Sequence, residues 1–317
     1  MALLNPAGAA PAAPDGGASP GPRVLLSARE DRLDSVLALG RVAAHLGDLR
    51  RTDWTDWNDW NDVEPPPVAA LVCDDVAATG RLLELGVPVV HLESGPPGPP
   101  GGETPPGRAL VRVHRPGWLP LPGPPARGAR PTGVLAPRRT GRSRTRSGTL
   151  LMLSLWHVPE AEAGAFASGA LRELAAAALH RTGSCTVVAD TGLGLVRSAL
   201  AEQPGVRVLR AAETDADALH ADAAVFLASP VLGAFALAQA RRAPLALLPP
   251  LGAAQRALAG QVGEVLPLPS AGDPEDPGLW EPAYPAGPWH LLDPALDDLR
   301  GAQRVARTLR QLALAPL

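Results

Sequence analysis

Residues 206–255 read VRVLRAAETDADALHADAAVFLASPVLGAFALAQARRAPLALLPPLGAAQ. Short apolar runs predict strands at 206–209, 223–226 and 244–248, and apolar residues recurring every three to four positions predict helices at 215–220 and 231–242. Pro250 and Gly252 then turn the chain into another helix. Strands and helices alternating in this way give an α/β fold with a parallel sheet. Such sheets take ligands at the carboxyl ends of their strands.

Outward from that stretch the same alternation continues in both directions. Upstream lie an apolar strand at 149–155, an Ala-rich helix at 160–180, a strand at 186–189 and a helix at 195–202. Nearer the amino terminus, strands are expected at 23–27, 68–73, 87–92 and 109–114, with an amphipathic helix at 31–49 and another running from the Asp74-Asp75 cap to Leu85, stopped by Gly86. A chain of 317 residues exceeds the usual size of one domain. The expected division is a tail at 1–21, a first domain at 22–137, an Arg-rich linker at 138–148, a second domain at 149–268, and a Pro/Gly-rich segment with a C-terminal crossing helix at 269–317.

The skeleton PGVRVL, ADAAV, the helix containing Gly233, then APLALLPP followed by Gln255 resembles the donor-binding half of GT-B glycosyltransferases, most nearly the MurG-like and UDP-glucuronosyltransferase-like groups. The resemblance implies two Rossmann-like domains facing across a cleft, with a nucleotide-diphosphate sugar as donor substrate and no further cofactor. It also implies that the turn Ser229-Pro230-Val231-Leu232-Gly233 lies at the diphosphate, that Gln255 meets the donor sugar and that Arg210 passes beside the base. Thr191 and Gly192 match the Thr-Gly that follows the preceding strand in these families. The polar grip departs from the pattern: Ala234 stands where the families carry Thr, and Leu237 where they carry the Glu that holds the ribose. Trp156 and His157 replace the Gly/Ser-rich turn whose bare backbone approaches phosphate.

Composition removes several classes. With 29 arginines, no lysine and 32 acidic residues the net charge is −3, so there is no global basic field for nucleic acid. Isoleucine is also absent, a bias that follows from GC-rich codons. Cys73 and Cys185 fit neither a disulfide framework nor a metal site, and a cytoplasmic location is expected. No apolar run reaches the length of a membrane span, and no metal-ligand motif is present.

Other residues carry two readings each. Glu30 and Asp31 are favoured by the dipole of the helix they precede, or serve as a catalytic base from the first domain. His91 is a satisfied core histidine or a base at the cleft, and His157 is a bulky turn residue or a phosphate donor. The five arginines of 138–146 are a solvated linker, or an auxiliary anion site, or a peripheral contact with anionic lipid. The repeat TDWTDWNDWND at 52–62 is a loop expansion or an aromatic platform for sugar or a partner. At the level of function the sequence supports sugar transfer to an unidentified acceptor. It also supports an inactive relative acting as a binding or partner-stabilising subunit, with nucleotide-sugar epimerisation or hydrolysis third.

Overall fold

A computed structural model describes residues 22–47, 49–53, 67–96, 104–120, 128–281, 286–296 and 298–315. The tail at 1–21, the aromatic repeat beyond Asp53 and Tyr284 lie outside the described residues.

The first domain runs β1 (Arg23–Ala28), α1 (Leu33–Ala43), β2 (Arg50–Asp53), β3 (Ala69–Cys73), α2 (Val76–Glu84), β4 (Val89–Glu93), β5 (Leu110–Val113) and β6 (Arg130–Pro131). Its six strands are parallel in the order β2-β1-β3-β4-β5-β6. The second domain runs β7 (Thr149–Leu153), α3 (Glu160–Ser168), α4 (Ala170–Thr182), β8 (Cys185–Ala189), α5 (Leu193–Leu200), β9 (Val206–Arg210), α6 (Ala216–Asp222), β10 (Val225–Ala228), α7 (Leu232–Arg241), β11 (Ala246–Leu247) and α8 (Gly252–Gly263). Its sheet is also wholly parallel, in the order β11-β10-β7-β8-β9. A short α9 (Pro277–Trp280) and a final α10 (Gly301–Leu314) complete the described chain.

The apolar runs are continuous because the central strands are covered on both faces. In β7, Leu150 and Met152 join one core cluster while Leu151 and Leu153 join another. Helix α10 lays Ala302, Val305, Ala306 and Leu309 into the cluster that holds Val24, Leu26, Leu71 and Leu92 of the first sheet.

Three local expectations need correction. The helix foreseen at 160–180 is two helices broken at Gly169, where φ is −108° and ψ −100°, outside the helical region. The helix foreseen at 31–49 ends at Ala43, and the C-terminal crossing helix, which the sequence places from Pro294 to Leu314, begins only at Gly301. Gly301 lies against the first domain so closely that a Cβ there would stand 2.5 Å from the Val134 carbonyl oxygen. Strand β2 has the sequence RRTD and no apolar periodicity, so only its pairing with β1 reveals it.

One apolar core runs through both domains. Leu33, Leu37, Trp118 and Val134 of the first share a cluster with Met152, Phe226, Leu232 and Phe235 of the second. Domains joined through a thin polar seam are expected to move relative to one another, whereas an extensive apolar junction restrains them.

Candidate functional site

In each sheet the strand order reverses at one place, and crevices for ligands open at the carboxyl ends there. In the first domain it lies between β1 and β3, where the chain continues into residues 29–32 and into Asp74-Asp75. In the second it lies between β7 and β10, where the chain continues into Ser154-Leu155-Trp156-His157 and into Ser229-Pro230. The two places face each other and are bonded together.

The bonds are reciprocal helix caps. Arg32 precedes α1 and Val231 precedes α7, and neither makes a side-chain cap to its own helix. The Leu33 amide at the start of α1 instead donates to Asp190 Oδ2 of the second domain at 3.1 Å. The Gly233 amide at the start of α7 donates to Asp34 Oδ1 of the first domain at 2.7 Å. A carboxylate at a helix start satisfies an orphan amide and the positive end of the dipole. Each domain therefore supplies the anion that the other domain's helix needs.

Both carboxylates are buried. Asp190 accepts from the Ser154 hydroxyl at 2.6 Å and from the amides of Leu155 at 2.9 Å and Thr191 at 2.7 Å. Burial nevertheless raises its pKa against the pull of those donors. Burial likewise raises the Asp34 pKa to about 6, opposed by Arg32, the Gly233 amide and Arg41, and reinforced by Asp74.

Gly233 is held on its carbonyl side as well. Arg41, buried in α1, donates Nη1 to the carbonyls of Gly233 at 3.0 Å and Leu135 at 3.1 Å. Its Nε and Nη2 grip both oxygens of Asp217 at 3.0 and 2.7 Å. A Cβ at Gly233 would stand 2.6 Å from Leu37 Cδ1 and 3.1 Å from Asp34 Oδ1. The glycine allows α1 and α7 to touch, at the point where side-chain-free backbone had been expected to face a diphosphate.

The neighbouring loops are also pinned internally. Ser154 receives Gln255 Nε2 on its carbonyl at 2.8 Å and donates its amide to Ser229 Oγ at 3.0 Å. Gln255 Oε1 in turn accepts from the Leu251 amide at 3.1 Å. Ala234 and Leu237 are 0% exposed, within the core rather than on a ligand-facing wall.

Around the rim the first domain reaches over the second. Arg32 lies over the Trp156 ring at 4.2 Å, pairs with Asp74 at 3.0 Å and donates to the Pro96 carbonyl at 3.3 Å. Trp156 stacks on His157 with centroids 3.9 Å apart, and His157 sits at φ 56°. Asp74, also at positive φ (58°), accepts from the Ser35 hydroxyl at 2.5 Å, the Ser94 amide at 2.9 Å and the Ser94 hydroxyl. Non-glycine residues held in this region store strain that the surrounding bonds must hold. Glu30 and Arg210 form an exposed pair at 3.1 Å from one domain to the other.

Of the residues singled out in the sequence, Glu30, Arg210, His157, Thr191, Gly192, Ser229, Gly233 and Gln255 all lie at or beside this junction. Asp31 pairs locally with Arg29 at 2.7 Å, and that hydrogen bond lowers its pKa. His91 is buried where β4 meets α2, its Nδ1 2.7 Å from Thr79 Oγ1. Burial lowers its pKa, which favours the neutral ring.

The residues that join the domains, Asp34, Arg41 and Asp190, together with Ser154, which holds Asp190 in place, are those that sequence reading passed over. A signal existed in α1, where Asp34, Leu37 and Arg41 share a face at spacings of three and four and the charged pair lies in the apolar stripe. Among the described residues no group of three or more His, Cys, Asp or Glu could hold a metal, and no helix is long and apolar enough to cross a membrane. Cys73 and Cys185 are free and buried.

Two open parallel sheets, wound with helices and facing each other by their carboxyl ends, define the GT-B fold. The chain belongs to the family described as CGA synthase-related protein, which matches residues 24–317. No curated protein matches it. Solved structures similar to it include the spinosyn rhamnosyltransferase SpnG complexed with thymidine diphosphate, at 15% identity over 92% of this chain and 98% of that one, with a TM-score of 0.42. MurG of Acinetobacter baumannii is similar at 14% identity, 92% and 99% coverage and a TM-score of 0.41. A putative UDP-N-acetylglucosamine 2-epimerase of Listeria monocytogenes is similar at 12% identity, 92% and 96% coverage and a TM-score of 0.47.

Proposed function

We propose that this protein is a GT-B relative that does not transfer sugar and works as a binding or partner-stabilising subunit. The observation that carries this reading is the Asp34 carboxylate on the Gly233 amide at 2.7 Å. A donor diphosphate at that helix start would have to displace a buried carboxylate and separate α7 from Leu37. The groups that would then receive the nucleotide are already engaged: Ser229 and Gln255 are bonded to Ser154, and Leu237 offers no acceptor to a ribose hydroxyl. A hydroxyl buried without a partner costs roughly 1–3 kcal/mol.

Thermal unfolding against UDP, TDP, GDP and their sugar conjugates tests the proposal. A ligand present at a hundred times its Kd stabilises the folded state by about 2.7 kcal/mol. No shift of the midpoint with millimolar nucleotide beyond that given by inorganic pyrophosphate is expected. A saturable shift with one nucleotide class that exceeds the shift with pyrophosphate would overturn the proposal and favour the second reading, transfer of a sugar from a nucleotide-diphosphate donor. That second reading draws on Thr191, Gly192 and Arg210, which keep part of their surface in solvent at the rim.

A further inference from the structure

A cavity of about 840 Å³ lies between α1, the linker and α6. Its lining includes Arg138, Arg139, Arg142 and Ser143 of the linker together with Arg241 at the end of α7. A volume of this order suits a small molecule.

The charges around it are unevenly satisfied. Asp217 is taken by Arg41, Asp215 Oδ1 caps α6 by accepting from the Ala218 amide at 2.9 Å, and Asp222 Oδ1 accepts from the Ser143 hydroxyl. No carboxylate forms an ion pair with Arg138, Arg139, Arg142 or Arg241 among the described residues. Arg241 is 9% exposed; it donates to the Asp217 carbonyl at 2.6 Å and the Arg139 carbonyl at 3.1 Å, and its Nη1 lies 2.9 Å from His220 Nδ1. Its Nε has no partner among the described residues. Arg142 donates Nη2 to the Ala223 carbonyl at 2.7 Å, and its buried Nε also has none. A buried donor left unpaired is costly, and guanidinium groups match phosphate oxygens in geometry as well as charge.

We propose that this cavity binds a phosphate-bearing small molecule, held by Arg139, Arg142 and Arg241. The local potential agrees with this occupant. Burial, then Arg146 and Arg241, holds the Arg142 pKa down at about 10, and burial, then Arg241, Arg142 and Arg41, pushes that of His220 well below its usual range. An anion beside Arg142 and Arg241 would offset the mutual repulsion of these guanidinium groups. The lining includes neither Asp34 nor Gly233, but it shares Leu37, Arg41 and Asp217 with the junction, and none of the bonds of Arg142 and Arg241 reaches Asp34 or Gly233.

Inorganic pyrophosphate serves as the probe, titrated by calorimetry at ionic strength held constant with sodium chloride. Saturable binding is expected, with Kd raised about tenfold or more in Arg139→Glu and in Arg142→Gln, each tenfold step being about 1.4 kcal/mol. The Arg139 side chain is exposed, so its reversal leaves folding intact. Arg144→Glu, in the same linker but outside the cavity lining, carries the same change of charge and is expected to bind as the parent does. Equal weakening by Arg144→Glu and Arg139→Glu would reduce the effect to diffuse attraction and overturn the site. So would the absence of binding at millimolar pyrophosphate, or association only with phosphatidylglycerol vesicles. Nucleotide binding that survives Arg139→Glu unchanged would place the nucleotide at the junction, a result that bears on the preceding proposal and not on this one.

Discussion

The junction at the carboxyl ends and the cavity under the linker are both rich in charge, and they treat it in opposite ways. At the junction each buried carboxylate is met by donors from the other domain, and Arg41 spends its guanidinium on two carbonyls and a carboxylate. Under the linker, among the described residues, four arginines line the wall without a carboxylate partner, and two guanidinium Nε atoms have no hydrogen-bond partner. A satisfied polar network in a dry setting fixes one arrangement, whereas a buried donor left unpaired is costly. The GT-B fold therefore carries a joint at its usual crevice, and its open charge lies elsewhere.

Breaking the joint at Arg41 is expected to have the largest effect. Arg41→Ala strands Asp217 and two buried carbonyls, and removing one partner of a buried pair costs about 3–5 kcal/mol. Urea unfolding should show the loss, and a midpoint unchanged from the parent would mean that the joint contributes nothing. Asp34→Asn sharpens the comparison through pH. The folded-state pKa of Asp34 is raised to about 6, so the native state binds the proton more tightly than the unfolded chain. Its contribution to stability therefore grows as pH falls through 6 and is complete below the unfolded value near 4. Between pH 7 and pH 4 the parent should gain up to about 3 kcal/mol on Asp34→Asn.

His114 works in the opposite sense. Burial lowers its pKa to about 4, and the Leu135 amide donates to Nε2 while Nδ1 meets the Ser94 carbonyl. The unfolded chain then takes the proton first, so the stability from this group is lost as pH falls from about 6.5 towards 4. Measuring the parent against Asp34→Asn, rather than the parent alone, separates the two.

A smaller effect distinguishes two helical glycines. Gly233→Ala should destabilise by about 1–2 kcal/mol because its new methyl meets Leu37 and Asp34. In α8 a Cβ at Gly260 would meet nothing within 4 Å, and Gly260→Ala should stabilise by about 0.5–1 kcal/mol. Equal signs for the two would refute the close approach of α1 and α7. Smallest of all, Glu30→Gln at the exposed rim should change stability by less than about 1 kcal/mol, and less still in high salt.

Where a residue's role depends on its near neighbours in sequence, that role was legible. The largely apolar runs of β3, β7 and β10, the turn residues between them and the alternation with helices were enough for two parallel sheets, because local periodicity decides which faces are buried. Polar edge strand β2 and two-residue β6 escaped, since partners and not sequence define an edge. At the site, the place of Gly233 and Gln255 beside the strand ends could be read, but not what they touch. By sequence Asp31 stands at the start of the first helix, but the structure puts Arg32 and Val231 in the cap positions, where neither side chain caps its own helix and both starts need partners from elsewhere. Their partners, Asp190 and Asp34, lie 157 and 199 residues away along the chain. Short-range pattern determined the two domains, whereas folding alone determined that they close on each other, because burying those carboxylates is tolerable only when the opposite helix arrives to receive them.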